Sequence, residues 1–240
     1  MPLFRIALLL VVLPVLGGCT FKQTHLERLS QDGQCQGCDL REFSLAGMVL
    51  PGADLRDAKL AHIDAMDVDL REATLDGADL RGSDFRRANL TDASLVDANL
   101  RRVNMSEAQL DATDLRGANL TRAVLRGTDM TVAHLAGADL RWARMAETGL
   151  RGADLSGARM RGARLFRADM RQANLADAGL AGAVLLEADL GGARLVGADL
   201  SGADLRRARG LEGGALAGAC GDDDTLLPAG TTIRHCDDGS

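Results

Sequence analysis

From Cys38 to Arg207 the apolar positions recur every five residues, with no insertion or deletion. Each fifth residue from Leu40 to Leu205 is apolar. Most are Leu, with Met at Met105, Met130, Met145, Met160 and Met170, one Phe (Phe85) and one Ala (Ala65). Two residues before each sits a small residue, usually Ala, and the other slots carry mainly Asp, Asn, Arg, Gly, Ser and Thr. On an α-helix five residues turn through about 500°, which would scatter the leucines around the cylinder and leave no core face. On a flat strand an odd period sends successive leucines to alternate faces. A chain that turns a corner after each block satisfies every repeat. The central residue and the small residue before it then always point at one enclosed axis, which makes the chain a solenoid.

Blocks such as ADLRD, ANLTD and ANLRR, of the form A-(D/N)-L-x-x in tandem, resemble the pentapeptide repeat family over roughly 170 of the 240 residues. The resemblance implies an all-β fold, a right-handed quadrilateral parallel β-helix with four blocks to a coil. At a strand spacing of about 4.8 Å, about 8.5 coils make a rod roughly 40 Å long. In that register the sole central Ala65 stacks on Phe85 of the next coil, and Ile63 takes a slot normally held by Ala. Phe85 must then point inward, where it and Ile63 fill the volume a leucine would have taken.

The flanks divide the rest of the chain. Residues 1–18 read as an export signal, with Arg5 ahead of an apolar run from Ile6 to Leu16 that is short for a bilayer span. The run ends in Leu16-Gly17-Gly18-Cys19, which resembles a lipoprotein lipobox. That implies cleavage before Cys19, lipidation of Cys19 and stable membrane anchoring through acyl chains. The simpler reading is an ordinary secretory signal in which Cys19 is incidental. Thr20 in place of Asp after the Cys implies an outer-membrane destination facing the periplasm. Residues 19–37 form a tether and N-terminal cap, with a short helix over 24–29 ending before Gly33. Residues 38–207 are the β-helix. Residues 208–240 are a C-terminal cap and polar tail, where the phase breaks at Gly210 and Thr231-Thr232-Ile233 reads as a short strand. Caps are needed because a solenoid end exposes raw core and unpaired edges.

The net charge of −6 and the 2% aromatic content disfavour nucleic acid as a partner of the whole molecule. Cys35 and Cys38 lie at one end of the rod and Cys220 and Cys236 at the other, too far apart for one zinc site. In an oxidising envelope the expected use is two local disulfides, Cys220 with Cys236 and Cys35 with Cys38. Cys38 also fits an inward slot as a buried thiol. The histidines, His25, His62, His134 and His235, form no constellation with a nucleophile or ligand partner. The many Asp residues before central leucines suit hydrogen bonding at corners. No catalytic, cofactor or metal residue is assigned.

Residues twenty apart stack on one side of a four-block coil. One side collects Arg101, Arg102, Arg122, Arg141, Trp142, Arg144, Arg161 and Arg164, with no Asp or Glu between positions 101 and 164. The other sides carry most of the acids, including Asp76, Asp79, Asp97, Asp139, Asp177 and Asp199. Stacked arginines without countercharges favour an anionic partner, and an exposed Trp among them is an anchor. The candidates are a lipid or lipopolysaccharide phosphate, an acidic glycan or an acidic protein patch. The bland alternative is that these arginines pair with acids around the corner.

The expected function is therefore a noncatalytic, membrane-tethered interaction scaffold of the bacterial envelope. Two alternatives stand beside it. The first is a cytoplasmic DNA-mimicking topoisomerase-binding protein, as the family resemblance allows, and the second is a metal or redox protein using the end cysteines.

Overall fold

The computed structural model describes residues 20–236, with side chains described from residue 25. The segment containing Cys19 and the export signal lies outside the described residues. Helix α1 (Thr20–Asp32) comes first, longer at both ends than the expected 24–29. Its Leu29 is buried on the first coil and Leu26 packs beside it, so the helix covers the open end of the core. Among the described residues no helix is long and apolar enough to cross a membrane.

The coil itself is built from single-residue parallel bridges. Gln34 pairs with Asp54, Asp39 with Lys59, Ser44 with Asp64 and Val49 with Asp69. The same step of twenty residues repeats every five residues as far as Asp189 with Arg209. Four such columns therefore run around each coil. Between bridges the chain turns within one block: Phe43 N–H donates to the Leu40 carbonyl at 3.1 Å, while Leu40 N–H donates to Lys59 of the next coil at 2.9 Å. The second residue after each central position takes a left-handed backbone, as at Asp57 (φ 57°) and Trp142 (φ 63°). Gly, Asp and Asn accept that conformation most readily, so a polar or glycine corner follows most central residues, with Ala112, Val132 and Trp142 as exceptions.

Bridging begins at Gln34, four residues before the boundary expected at Cys38. The reason is that Cys35 occupies the central slot of the first block and is fully buried. A free or paired Cys behaves as a small hydrophobe, and a pattern built on Leu passes over it.

The core is a continuous column of Leu, Met and Ala. Phe85 is 0% exposed, Ile63 and Ala65 are also buried, and the Asp64–Asp84 bridge sets their coils side by side. Where Ser or Thr replaces the inward Ala, its hydroxyl donates to a carbonyl of the preceding coil. Thr113 reaches Leu90 O at 2.8 Å, Thr128 reaches Met105 O at 3.1 Å and Thr148 reaches Leu125 O at 2.8 Å. Each of these buried hydroxyls is thereby satisfied.

The step then lengthens. Asp199 pairs with Cys220 and Asp204 with Leu226, so the cap follows the wall with extra residues looped out. Leu211 and Leu216 remain buried despite being out of phase. Strands β1 (Cys220–Gly221) and β2 (Arg234–His235) pair in parallel across the end. The terminal strand thus falls at 234–235 and not at 231–233, where Ile233 packs against the core instead.

Candidate functional site

At the commonest corner the sequence reads Asp-Leu-Arg. The Asp Oδ1 accepts the backbone N–H two residues on, and the Arg at that position turns back to bind both carboxylate oxygens. In Asp114 and Arg116 the backbone contact is 3.1 Å and the Nε–Oδ1 contact 2.9 Å. The same pairing recurs from Asp39–Arg41 to Asp204–Arg206. These hydrogen bonds hold the Asp54, Asp69, Asp79, Asp84, Asp114, Asp169 and Asp204 carboxyls below their ordinary range.

This local pairing corrects the expected arginine face at one point. Arg141 is not free of a countercharge: its Nη2 lies 2.6 Å from Asp139 Oδ2. Asp139, expected among the outward acids, is 5% exposed and sits between Arg141 and Arg159, the latter at 3.4 Å. The hydrogen bond from Arg141 holds its carboxyl low.

The other six arginines stand apart. Arg101 and Arg161 follow Asn99 and Arg159 two residues earlier, so neither has the local Asp. Arg102 and Arg122 stack on the corner column between Gly82 and Trp142, while Arg144 and Arg164 are bridge partners flanked by Val124 and Val184. Among the described residues none of the six makes an ion pair.

Two open depressions meet here. Arg102, Arg122, Arg144 and Arg164 line one together with Val124, Trp142 and Gly162. Arg101, Asn119, Thr121 and Arg141 line the other, again with Arg122 and Trp142. Trp142 therefore forms the ridge between them, and Arg161 lies on the neighbouring corner and lines neither.

Trp142 is 54% exposed although it is the chain's only tryptophan. Its benzo ring leans over Gly162 of the next coil, where Cε3, Cζ3 and Cη2 occupy the space that a Cβ would need. Gly162 is thus required twice, for its left-handed backbone (φ 67°) and for the flat seat it gives the indole. The benzo edge is thus held against Gly162 while about half of the side chain stays exposed. Among the described residues the one cation–π pair is Arg167 over Phe166, 4.7 Å from the ring centre, so no guanidinium covers the indole.

The remaining chemistry is sparse. The sulfurs of Cys35 and Cys38, and those of Cys220 and Cys236, stand at disulfide distance, with Cα separations of 5.2 and 4.7 Å. Asp199 joins the second pair, its Oδ1 lying 3.4 Å from Cys236 Sγ, and Ser201 Oγ is 3.2 Å away from the same sulfur. Sulfurs joined to each other offer no thiolate to a metal. His62 and His134 are exposed, and His235 lies 3.2 Å from Asp223. A cavity under the C-terminal cap is lined largely by Gly, Ala, Leu and Thr, with Glu212 its one ionisable side chain.

The chain matches the family model for pentapeptide repeats, in eight copies, over residues 34–71, 69–106, 104–134, 133–172 and 173–209. It belongs to the pentapeptide repeat family. Among solved structures it is similar to HetL, a pentapeptide repeat protein involved in heterocyst differentiation regulation from the cyanobacterium Nostoc sp. strain PCC 7120. Identity is 31%, covering 84% of this chain and 97% of that one, with a TM-score of 0.47. QnrB1, a plasmid-mediated fluoroquinolone resistance protein, aligns at 16% identity over 82% and 90% of the two chains, TM-score 0.41. Rfr23 from the cyanobacterium Cyanothece 51142 aligns at 23% identity over 85% and 98%, TM-score 0.20. No curated protein matches.

Proposed function

We propose that this protein is a noncatalytic, right-handed β-helical scaffold of the bacterial envelope. It is tethered at the outer membrane through a lipidated Cys19 and holds an anionic partner on its Arg/Trp patch. The observation that carries the reading is a cluster of six arginines without an ion pair among the described residues. Arg151, Arg194 and Arg209 also lack one, but they are scattered along the rod and without an aromatic side chain beside them. Elsewhere nearly every corner arginine has an Asp two residues before it or an acid one coil away, as Arg87 has Asp67 at 2.7 Å. Like charges stacked with no acid repel, and an anion relieves that repulsion through bidentate contacts. The disulfide reading of the two cysteine pairs and the export signal suit the same oxidising compartment.

Binding of tripolyphosphate to the purified full chain tests the patch. The expected result is saturable binding that weakens as salt is raised and is lost when Arg101, Arg122, Arg144 and Arg164 become Ser. Unchanged binding in that variant removes the site. Fractionation of cells carrying Cys19→Ala tests the tether: release from the membrane supports it, and retention overturns it.

A further inference from the structure

The indole of Trp142 is held against Gly162 and half-exposed, and its placement among guanidiniums narrows the partner. Resting on the wrong backbone partner, an exposed Trp would swing freely. Here the recess at Gly162 receives the benzo ring, more than half of the side chain stays exposed, and among the described residues no guanidinium stacks on it. Guanidiniums approach from both sides, Arg101 across one depression and Arg102, Arg144 and Arg164 across the other, with Arg122 in both. A ligand that uses all of this has a ring face for the indole and negative groups projecting from that ring's rim. A bare phosphate uses only the arginines, and an acidic peptide supplies carboxylates without a ring.

The patch is also finite. Along the bridge column of Arg144 and Arg164, the arginines give way to Val124, Asn104, Asp84 and Asp64 on one side and to Val184 and Asp204 on the other. Successive positions in a column are one coil, about 4.8 Å, apart, so the run from position 101 to 161 is about 15 Å long. A long polyanion would leave it onto acidic wall, and a single aromatic serves one ring where a nucleic acid strand offers successive bases. We infer that the site takes a short anionic glycan, one sugar ring stacked on Trp142 with its phosphate, sulfate or carboxylate groups held by the arginines. This inference rests on the anion-binding reading above.

Because Trp142 is the only tryptophan, its emission reports occupancy directly. Full-length protein is titrated with a heparin tetrasaccharide, tripolyphosphate, a neutral chitin tetrasaccharide and a short oligo-thymidylate. The expected result is tighter binding of the anionic tetrasaccharide, with a change in indole emission. Trp142→Asn, which keeps a residue tolerant of the left-handed corner, should weaken the tetrasaccharide about tenfold. Tripolyphosphate affinity should stay within about twofold in that variant, since it does not use the ring. Arg144→Ser with Arg164→Ser should weaken both. If the tetrasaccharide and tripolyphosphate bind alike and neither responds to Trp142→Asn, the anion site stands and the glycan inference is overturned. Preference for oligo-thymidylate overturns it in favour of nucleic acid. Absence of binding by any anion removes both readings.

Discussion

Three kinds of residue decide how this coil closes: the inward leucine, the small residue before it, and the corner that turns the wall. Their tolerances are narrow because the axis is enclosed on every side. Phe85 fills its coil at 0% exposure while Ala65 yields volume one coil away. Phe85→Ala should therefore cost about 3–5 kcal/mol, and Ala65→Leu alone about 1–3 kcal/mol through overpacking. Ala65→Leu combined with Phe85→Leu should cost much less than the sum of Ala65→Leu and Phe85→Leu made singly in the same parent, as neighbours that share a volume do. Guanidinium midpoints of the four proteins decide it, and additive losses would deny the contact. At the surface, Gly162→Ala places a methyl where the indole lies. Its expected signature is a red-shifted Trp142 emission with greater acrylamide quenching, as the ring is lifted into water.

The corner element couples folding to pH. Asp-Leu-Arg units hold the carboxyl below the ordinary range by hydrogen bonding to the arginine, as in Asp114 with Arg116. A carboxyl depressed in the folded state binds fewer protons there than when unfolded, so its contribution is fully present above the unfolded value. That contribution disappears as pH falls through the folded value. The thermal midpoint should be level between about pH 5 and 8 and fall progressively below about pH 4. A midpoint unchanged down to pH 2 would mean that these pairs contribute nothing. The cap behaves differently: β1 and β2 join Cys220 to Cys236 by only two residues each. Reduction should release hydrogen-exchange protection at 220–221 and 234–235 while leaving the coils protected.

Over the whole molecule, the period of five leaves little of the fold hidden, because each block states its own side and its own neighbours. The inward column is legible in the spacing of apolar residues, whereas the step of twenty, and with it the meeting of Ala65 with Phe85, comes from the family resemblance. The first coil was harder to read, since Cys35 fills a leucine slot and a count of leucines starts too late. The terminal strand was harder still: with residues looped out of the wall, Arg234 and His235 pair by a contact that no period announces. In the site, projection at twenty residues gathers seven arginines, six of which make no ion pair among the described residues, and misses that Arg141 has one. Its Asp139 lies two positions upstream, a separation that crosses the corner in space though it is close in sequence. The legible rule is Asp-Leu-Arg, and the absence of Asp before Arg101 and Arg161 marks them as readily as its presence marks Arg141. The seat of Trp142 on Gly162 required the side-chain geometry, because glycine is common at corners for reasons unrelated to any indole.

Pairing at a constant twenty residues also makes direction a matter of counting. Removing one block between the N-terminal cap and the patch, for example residues 66–70, would rotate Trp142 by a quarter turn about the rod while preserving the core pattern. Removing a whole coil would leave its compass bearing unchanged and draw it about 4.8 Å closer to the cap. A surface carried on such a rod therefore has a longitude set by the remainder of a division and an altitude set by its quotient. Insertions in whole coils can lengthen the molecule without turning its patch away from whatever the first coil faces.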